Sequence, residues 1–145
     1  MSAVEFSTAD LAGLSEIRFA NGLPGFPDAH HFDRERWGAD DSPFSVLSGR
    51  DQDGINFIVV DPVVFFPEYR PSIDDDVLGR IGVRDVSSAV MLVILTLGRR
   101  PEEATANLLG PLLVNPATGD AVQAVLSGTD YRAQVTLANA SADGR

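Results

Sequence analysis

The chain has 145 residues, of which 44% are apolar and 22% charged, and this length and composition are typical of one folded domain. Its formal net charge is -10, from 21 acidic and 11 basic side chains, and every basic one is arginine. An acidic surface repels phosphate backbones, which argues against direct binding of DNA or RNA, and it attracts basic protein surfaces. The alternative is that the acidity only keeps the protein soluble. Because cysteine is absent, disulfides, thiolate metal sites and cysteine nucleophiles are excluded.

The N-terminus and the longest apolar run indicate a cytoplasmic protein that does not enter a membrane. Residues 1–10 lack the basic and apolar regions of a secretory signal. The apolar run at 89–97 is far shorter than the roughly 20 residues that a membrane helix needs. We expect a monomer with a single domain over residues 1–145, its core at about 3–137 and a frayed tail at 138–145.

Strand signals dominate the first 62 residues. Ile17 and Phe19 alternate with polar neighbours, which predicts a half-buried strand, and a turn follows at 22–25. Segment 44–47 is predicted to be a short strand that ends at residues 48–49. Segment 55–60 is rich in β-branched residues and should end at Asp61-Pro62, because proline cannot donate a hydrogen bond to a neighbouring strand.

One helix is predicted after residue 72. Asp74, Asp75 and Asp76 (the acidic triplet) would lie in its first turn, where the positive end of the helix dipole favours carboxylates. Ser72 or Asp74 would cap it. The apolar face of this helix would consist of Val77, Leu78 and Ile81, and the helix would end at Gly82.

The continuous apolar run at 90–97 predicts a strand that is buried on both faces. Residues 107–114 are predicted to be a strand that Asn115-Pro116 interrupts. Segments 122–126 and 132–137 are predicted to form a closing hairpin through the loop 127–130. Many short strands with one short helix favour a mainly β fold, a compact antiparallel sandwich or barrel-like domain.

The residues that could support catalysis are few. Adjacent side chains on a strand point to opposite faces, so His30 and His31 cannot easily chelate one metal ion. The acidic triplet lacks the alternating ligands and glycine of a calcium loop, and it is better explained as a solvated helix start. Trp37 with Phe32 could form an exposed aromatic site, but the preferred interpretation is that both fill the core. We expect no enzyme, metal or cofactor; a hydrolase that pairs Asp61 with His30 or His31 is the alternative.

Read in order, several segments resemble the FliW family of flagellar assembly factors. Residues 19–26 are similar to its opening signature, 43–48 to its next strand, and 57–62 to an apolar strand that runs into Asp-Pro. Residues 105–115 are similar to its Thr-x-Asn-Leu stretch, and 122–126 with Tyr131 complete the match over 17–137. The residues that match the family motif are Gly22, Leu23, Pro24, Gly25, Phe26, Asp61, Pro62, Asn107, Leu108, Pro111 and Asn115.

The resemblance implies a β-barrel-like domain without a cofactor and with two protein partners. FliW-like proteins bind CsrA, a small basic RNA-binding repressor, and thereby relieve repression of flagellin translation. They also bind flagellin, so free flagellin competes with CsrA and closes a feedback loop. CsrA would lose its RNA either by occlusion or by a change elsewhere in CsrA. The alternative is a flagellin-binding chaperone without CsrA regulation, for example in an organism that lacks CsrA.

Six residues are the candidate contacts for these partners. The candidates for anchoring the apolar part of flagellin are the aromatics near turns, Phe26, Phe66 and Tyr69, although a place in the core is the preferred interpretation of each. Asp74, Asp75 and Asp76 would steer the approach of the basic partner, and the competing interpretation is plain helix capping.

Overall fold

The computed structural model describes residues 15–23, 26, 28–38, 43–51, 55–100 and 103–137. Residues 24–25, the N-terminal 14 residues and the tail 138–145, on which some of the predictions fall, lie outside these ranges. Within them the chain forms one short α-helix, α1 (Asp75–Arg80), and two 3-10 turns, Pro62–Val64 and Val86–Ser88. The strands are β1 (Glu16–Phe19), β2 (His31–Arg36), β3 (Phe44–Gly49), β4 (Asn56–Val60), β5 (Val90–Thr96), β6 (Thr105–Ala106), β7 (Leu112–Val114), β8 (Asp120–Gln123) and β9 (Val135–Thr136).

Seven of the described strands close into a barrel, in the order β4-β3-β2-β1-β8-β7-β5 with β5 pairing back to β4. An odd number of strands cannot alternate in direction around a closed circle, so one neighbouring pair must be parallel. That pair is β1–β8, with Arg18 opposite Asp120 and Phe19 opposite Ala121. The other six pairs are antiparallel. The prediction of a mainly β, barrel-like domain with one short helix is confirmed.

The strand directions define two ends of the barrel. Strands β2, β4 and β7 finish at one end, which we call the Trp37 end because Trp37 directly follows β2. Strands β1, β3, β5 and β8 finish at the other, the Phe26 end, where Phe26 contacts Phe57 near the start of β4. β6 pairs with the last residues of β5 at this second end, and β9 pairs with β6.

Two separate apolar clusters lie on opposite sides of the wall formed by β4, β5 and β7. In β5, Val90 and Leu92 point into the barrel, whereas Met91 and Val93 point outwards into a second cluster. The first six residues of β5 are at most partly exposed, and its first four are fully buried. The prediction of a strand buried on both faces is therefore confirmed, because the barrel fills one face and an outer layer covers the other.

The outer layer contains α1, which is held by buried apolar side chains along one side and by hydrogen bonds at its C-terminal end. Leu78 and Ile81 are 2% exposed and pack in the outer cluster. Gly82 has φ 79°, and its N–H donates to Gly79 while that of Val83 donates to Leu78, the pattern that ends many helices at a glycine. The predicted helix end is thus correct. Asp74 occupies the N-cap position but its side chain makes no capping hydrogen bond, and Ser72 does not cap the helix.

Two of the predicted elements in the second half are wrong. Residues 107–110 are not strand, because the Asn107 side-chain oxygen accepts the N–H groups of Leu109 (3.0 Å) and Gly110 (2.9 Å) and turns the chain. The predicted closing hairpin is absent, since β8 pairs with β7 and β1, while β9 pairs with β6. Both edges of β8 are therefore occupied by strands other than β9.

Because an apolar cluster lies on each side of the wall formed by β4, β5 and β7, two neighbouring leucines of β7 should both contribute to stability. Leu112 faces the barrel and Leu113 the outer cluster, and their exposures are 1% and 0%. Leu112→Ala and Leu113→Ala should each lower the free energy of unfolding by about 2–5 kcal/mol, measured by urea denaturation. Leu97→Ala, at a residue that is 52% exposed, should change it by no more than about 0.5 kcal/mol. A small effect at either buried leucine would contradict the two-cluster arrangement.

Candidate functional site

The acidic triplet lies on the surface at the start of α1. All three side chains are exposed, and α1 beneath them is held by Leu78 and Ile81. Asn115, one of the family-motif residues, donates from Nδ2 to the carbonyl oxygen of Ile81 at 2.8 Å. This bond ties the C-terminal end of the helix to the turn between β7 and β8. The triplet is therefore a fixed patch of negative charge.

The three candidate aromatic anchors lie in different environments. Phe26 is 40% exposed at its end of the barrel and meets Phe57 edge to face, with ring centres 6.2 Å apart. Phe66 is half-buried in the outer layer, after the 3-10 turn Pro62–Val64. Tyr69 is only 5% exposed. The structure brings Phe66 and Tyr69 into one layer with the acidic triplet, and it does not bring Phe26 to them.

Tyr69 belongs to the core, the interpretation that its sequence context favours. Its hydroxyl donates to the carbonyl oxygen of Leu108 at 2.5 Å, and its ring meets Tyr131 edge to face at 4.7 Å. Burial, with a smaller contribution from Tyr131, raises the pKa of the Tyr69 hydroxyl well above its usual value. The side chain therefore acts as a neutral donor that joins the outer layer to the turn after β6.

The remaining family-motif residues that the structure describes form turns and strand ends. Gly22 has φ 70°, which favours glycine, and Leu23 is 5% exposed. Pro62 and Pro111 are buried, and the Pro111 carbonyl oxygen accepts the N–H of Ala124 at 2.8 Å. Asn115 turns the chain by accepting the N–H of Ala117 at 2.9 Å. The motif thus specifies the backbone turns that join the strands.

Asp61 ends β4 and begins the next turn, as predicted for Asp-Pro. Its side chain accepts the N–H of Val63 at 3.0 Å and so caps the 3-10 turn. Burial raises the pKa of the Asp61 carboxyl above its usual value, and the hydrogen bond from Val63 opposes this shift in part.

The two histidines lie far from Asp61. The Nδ1 atom of His30 is 2.9 Å from the carbonyl oxygen of Phe19, and Nδ1 of His31 is 3.3 Å from Asp51. The Asp51 carboxylate also accepts the backbone N–H groups of both histidines at 2.9 Å, and these hydrogen bonds lower the pKa of Asp51. This group is at the Phe26 end, whereas Asp61 is at the Trp37 end. The pairing of Asp61 with His30 or His31 that the hydrolase alternative requires is therefore not formed.

Sequence reasoning misplaced one aromatic residue and missed one cleft. Phe32 is fully buried as expected, but Trp37 is 45% exposed and rests on Phe44, so the expectation that it fills the core is wrong. β2 ends one residue before Trp37 and carries the indole out of the barrel. A cleft of about 310 Å³ lies beside β9, and its lining residues are Leu108, Asp130, Tyr131, Arg132, Gln134, Val135 and Thr136.

In the described part of the chain, no three histidine, aspartate or glutamate side chains are grouped as metal ligands would be. Over the same residues, no helix is long and apolar enough to cross a membrane.

Comparison with known proteins points to one family. The family model described as FliW protein matches residues 1–137. The flagellar assembly factor FliW of Caldanaerobacter subterraneus subsp. tengcongensis is 36% identical over 119 residues, covering 79% of this chain and 77% of its own. That of Bacillus velezensis is 36% identical over 125 residues, covering 86% and 87%. A crystal structure of the flagellar assembly factor FliW superposes with a TM-score of 0.77 and 27% identity, over 85% of each chain.

The half-buried Asp61 carboxylate predicts a pH-dependent difference between two variants. Asp61→Asn keeps an oxygen that can accept the Val63 N–H and removes the charge that burial disfavours, so at about pH 7 it should be at least as stable as the parent. Because the pKa of Asp61 is higher in the folded protein than in the unfolded chain, the folded protein takes up this proton at a higher pH. As the pH falls towards about 4, the parent should therefore gain stability relative to this variant.

Urea denaturation of the parent, Asp61→Asn and Asp61→Ala at both pH values measures this effect. Asp61→Ala removes the capping oxygen as well as the charge and should be about 1 kcal/mol less stable than Asp61→Asn at either pH. A parent that loses stability relative to Asp61→Asn on acidification would contradict the raised pKa.

The hydroxyl of Tyr69 predicts a second stability effect. Tyr69→Phe leaves the Leu108 carbonyl oxygen without its buried donor and should lower the free energy of unfolding by about 1–3 kcal/mol. Tyr131→Phe is the matched control, because its hydroxyl accepts the N–H of Arg70 at 3.2 Å in an exposed place where water can substitute. Equal effects in chemical denaturation would refute a special role for the Tyr69 hydrogen bond.

Proposed function

The chain belongs to the FliW family of flagellar assembly factors, and on this premise we propose that it binds CsrA and flagellin in competition. Binding to CsrA relieves the repression of flagellin translation. Free flagellin displaces CsrA and so restores the repression. The protein acts in this scheme by binding rather than by catalysis, in the cytoplasm, where translation takes place.

The observation that carries the proposal is the exposed acidic triplet on the anchored helix α1. Its three carboxylates belong to a chain of net charge -10, and CsrA-like repressors present basic, RNA-binding surfaces. Opposite charges of this kind accelerate encounter more than they tighten the final complex. Since Asn115 and the buried side chains Leu78 and Ile81 hold the helix, the charges do not have to be ordered when the partner binds.

The aromatic candidates have different roles in this proposal. Phe26 is accessible enough to insert into an apolar pocket of flagellin or to pack against an apolar helix face of it. Phe66 is partly exposed in the outer layer to which α1 also belongs. Tyr69 is a positioning residue, because its buried hydroxyl holds the Leu108 turn beside the cleft at β9. Phe26 and Phe66 are on separate parts of the surface, so substitution of each singly will identify which one flagellin uses.

The test is capture of the protein by purified CsrA and by purified flagellin from the same organism, at low and high salt. We expect binding to both and displacement of one by the other. Asp75→Asn combined with Asp76→Asn should slow association with CsrA at low salt, and the difference should shrink at high salt because exposed charges are screened.

The matched control is Asp28→Asn combined with Asp130→Asn, which removes the same charge at two exposed aspartates elsewhere. If both double variants bind CsrA alike, steering by the triplet is refuted. Capture of flagellin without CsrA replaces the regulatory proposal by a flagellin chaperone. Capture of neither refutes the proposed function.

A further inference from the structure

An exposed apolar patch lies at the Trp37 end of the barrel. Trp37, Val63 and Val64 are 45%, 41% and 48% exposed. The ring centre of Trp37 is 6.0 Å from that of Phe44, which is in turn 5.9 Å from that of Phe65. Phe65 directly follows the two valines in the chain, which places Val63 and Val64 beside this row of aromatic rings, and we call these five side chains the apolar patch. Solvent exposure of several large apolar side chains together is uncommon in a protein that works alone.

The backbone under the valines is rigid. The Asp61 side chain and the Asp61 carbonyl oxygen accept the N–H groups of Val63 and Val64 at 3.0 and 3.2 Å. The carbonyl oxygen of Pro62 accepts those of Phe65 and Phe66 at 3.1 and 2.7 Å. Pro62 itself is buried, which fixes the turn to the barrel. Little conformational entropy is therefore lost when a partner covers Val63 and Val64.

The charge around the apolar patch selects the kind of partner. Glu35 is exposed two residues before Trp37, Glu68 is exposed three residues after Phe65, and Asp61 is half-buried at the base of the turn. Arg36 lies on the other face of β2 by strand alternation, and Arg70 donates to the carbonyl oxygen of Tyr69. A second copy of the chain would bring two such groups of carboxylates together, which like-charge repulsion disfavours.

We propose that the apolar patch, with Glu35 and Glu68 at its rim, docks an amphipathic segment of the basic partner protein. This inference rests on the proposed function and adds a surface that lies apart from the Phe26 end. Apolar side chains of the segment cover Trp37 and the two valines, and its lysine or arginine side chains meet the rim carboxylates. The arrangement of an aromatic centre within a polar rim is the common one at protein interfaces.

The test compares two valines with the same substitution. Val64→Glu places a charge inside the apolar patch, and Val125→Glu places it at a valine that is 65% exposed after β8, at the opposite end of the barrel. In titrations with purified CsrA, Val64→Glu should weaken binding by about tenfold or more, and Val125→Glu by no more than about twofold. Equal melting temperatures of the two variants establish that both are folded.

Trp37 supplies a second readout on the unmodified protein, because it is the one tryptophan of the chain. After subtraction of the partner's own signal, its emission should shift to shorter wavelength when CsrA binds, since the indole leaves water. Glu35→Gln combined with Glu68→Gln should weaken CsrA binding at low salt and have a smaller effect at high salt.

The outcomes separate this inference from the proposed function. If the parent binds CsrA while Val64→Glu and Val125→Glu bind as the parent does, the docking surface is refuted and the proposed function stands. If Val64→Glu loses flagellin and keeps CsrA, the patch belongs to the apolar partner and a basic occupant is refuted. If the parent binds neither protein, both the proposed function and this inference are refuted.

Discussion

The structure depends on the burial of both faces of β5. Val90 and Leu92 require a closed barrel around them, and Met91 and Val93 require a second layer outside it. A single sheet cannot satisfy both conditions, because one face would remain in water. The barrel closes through β4 and β7, which flank β5, and the segment between β4 and β5 folds back as the outer layer. The position of α1, and with it that of the acidic triplet, follows from this requirement.

Short polar side chains form the turns that this arrangement needs. Asp61, Asp85, Asn107 and Asn115 each accept a backbone N–H two residues further on, which takes the place of the strand pairing that ends nearby. Three of these four belong to the motif through which the chain resembles its family. These motif residues therefore describe how the strands are joined, whereas Phe26 of the same motif is also a proposed contact of flagellin.

The proposed binding surfaces differ in how they are supported. The triplet stands on a helix whose end is tied to the barrel by Asn115, while the apolar patch stands on a 3-10 turn capped by Asp61. Elsewhere on the barrel, by contrast, Arg50 after β3 bridges Glu16 of β1 and Asp33 of β2, and it lowers the pKa of the Asp33 carboxyl. Carboxylates in such pairs are partly neutralised, so we expect them to add less than the triplet and the rim of the patch to the proposed attraction of a basic partner.

The sequence by itself determined the local states: the two-sided strand at 90–97, the strand stop at Asp61-Pro62, the helix that ends before Gly82, and the exposed acidic triplet. Apolar periodicity and turn residues act over a few neighbours, so they can be read along the chain. Only the tertiary structure decided that β8 pairs with β1 and β7 and not with β9, that Tyr69 is buried, and that Trp37 is exposed and packs on Phe44. These facts depend on contacts between distant segments, and local periodicity carries no information about which distant segments meet.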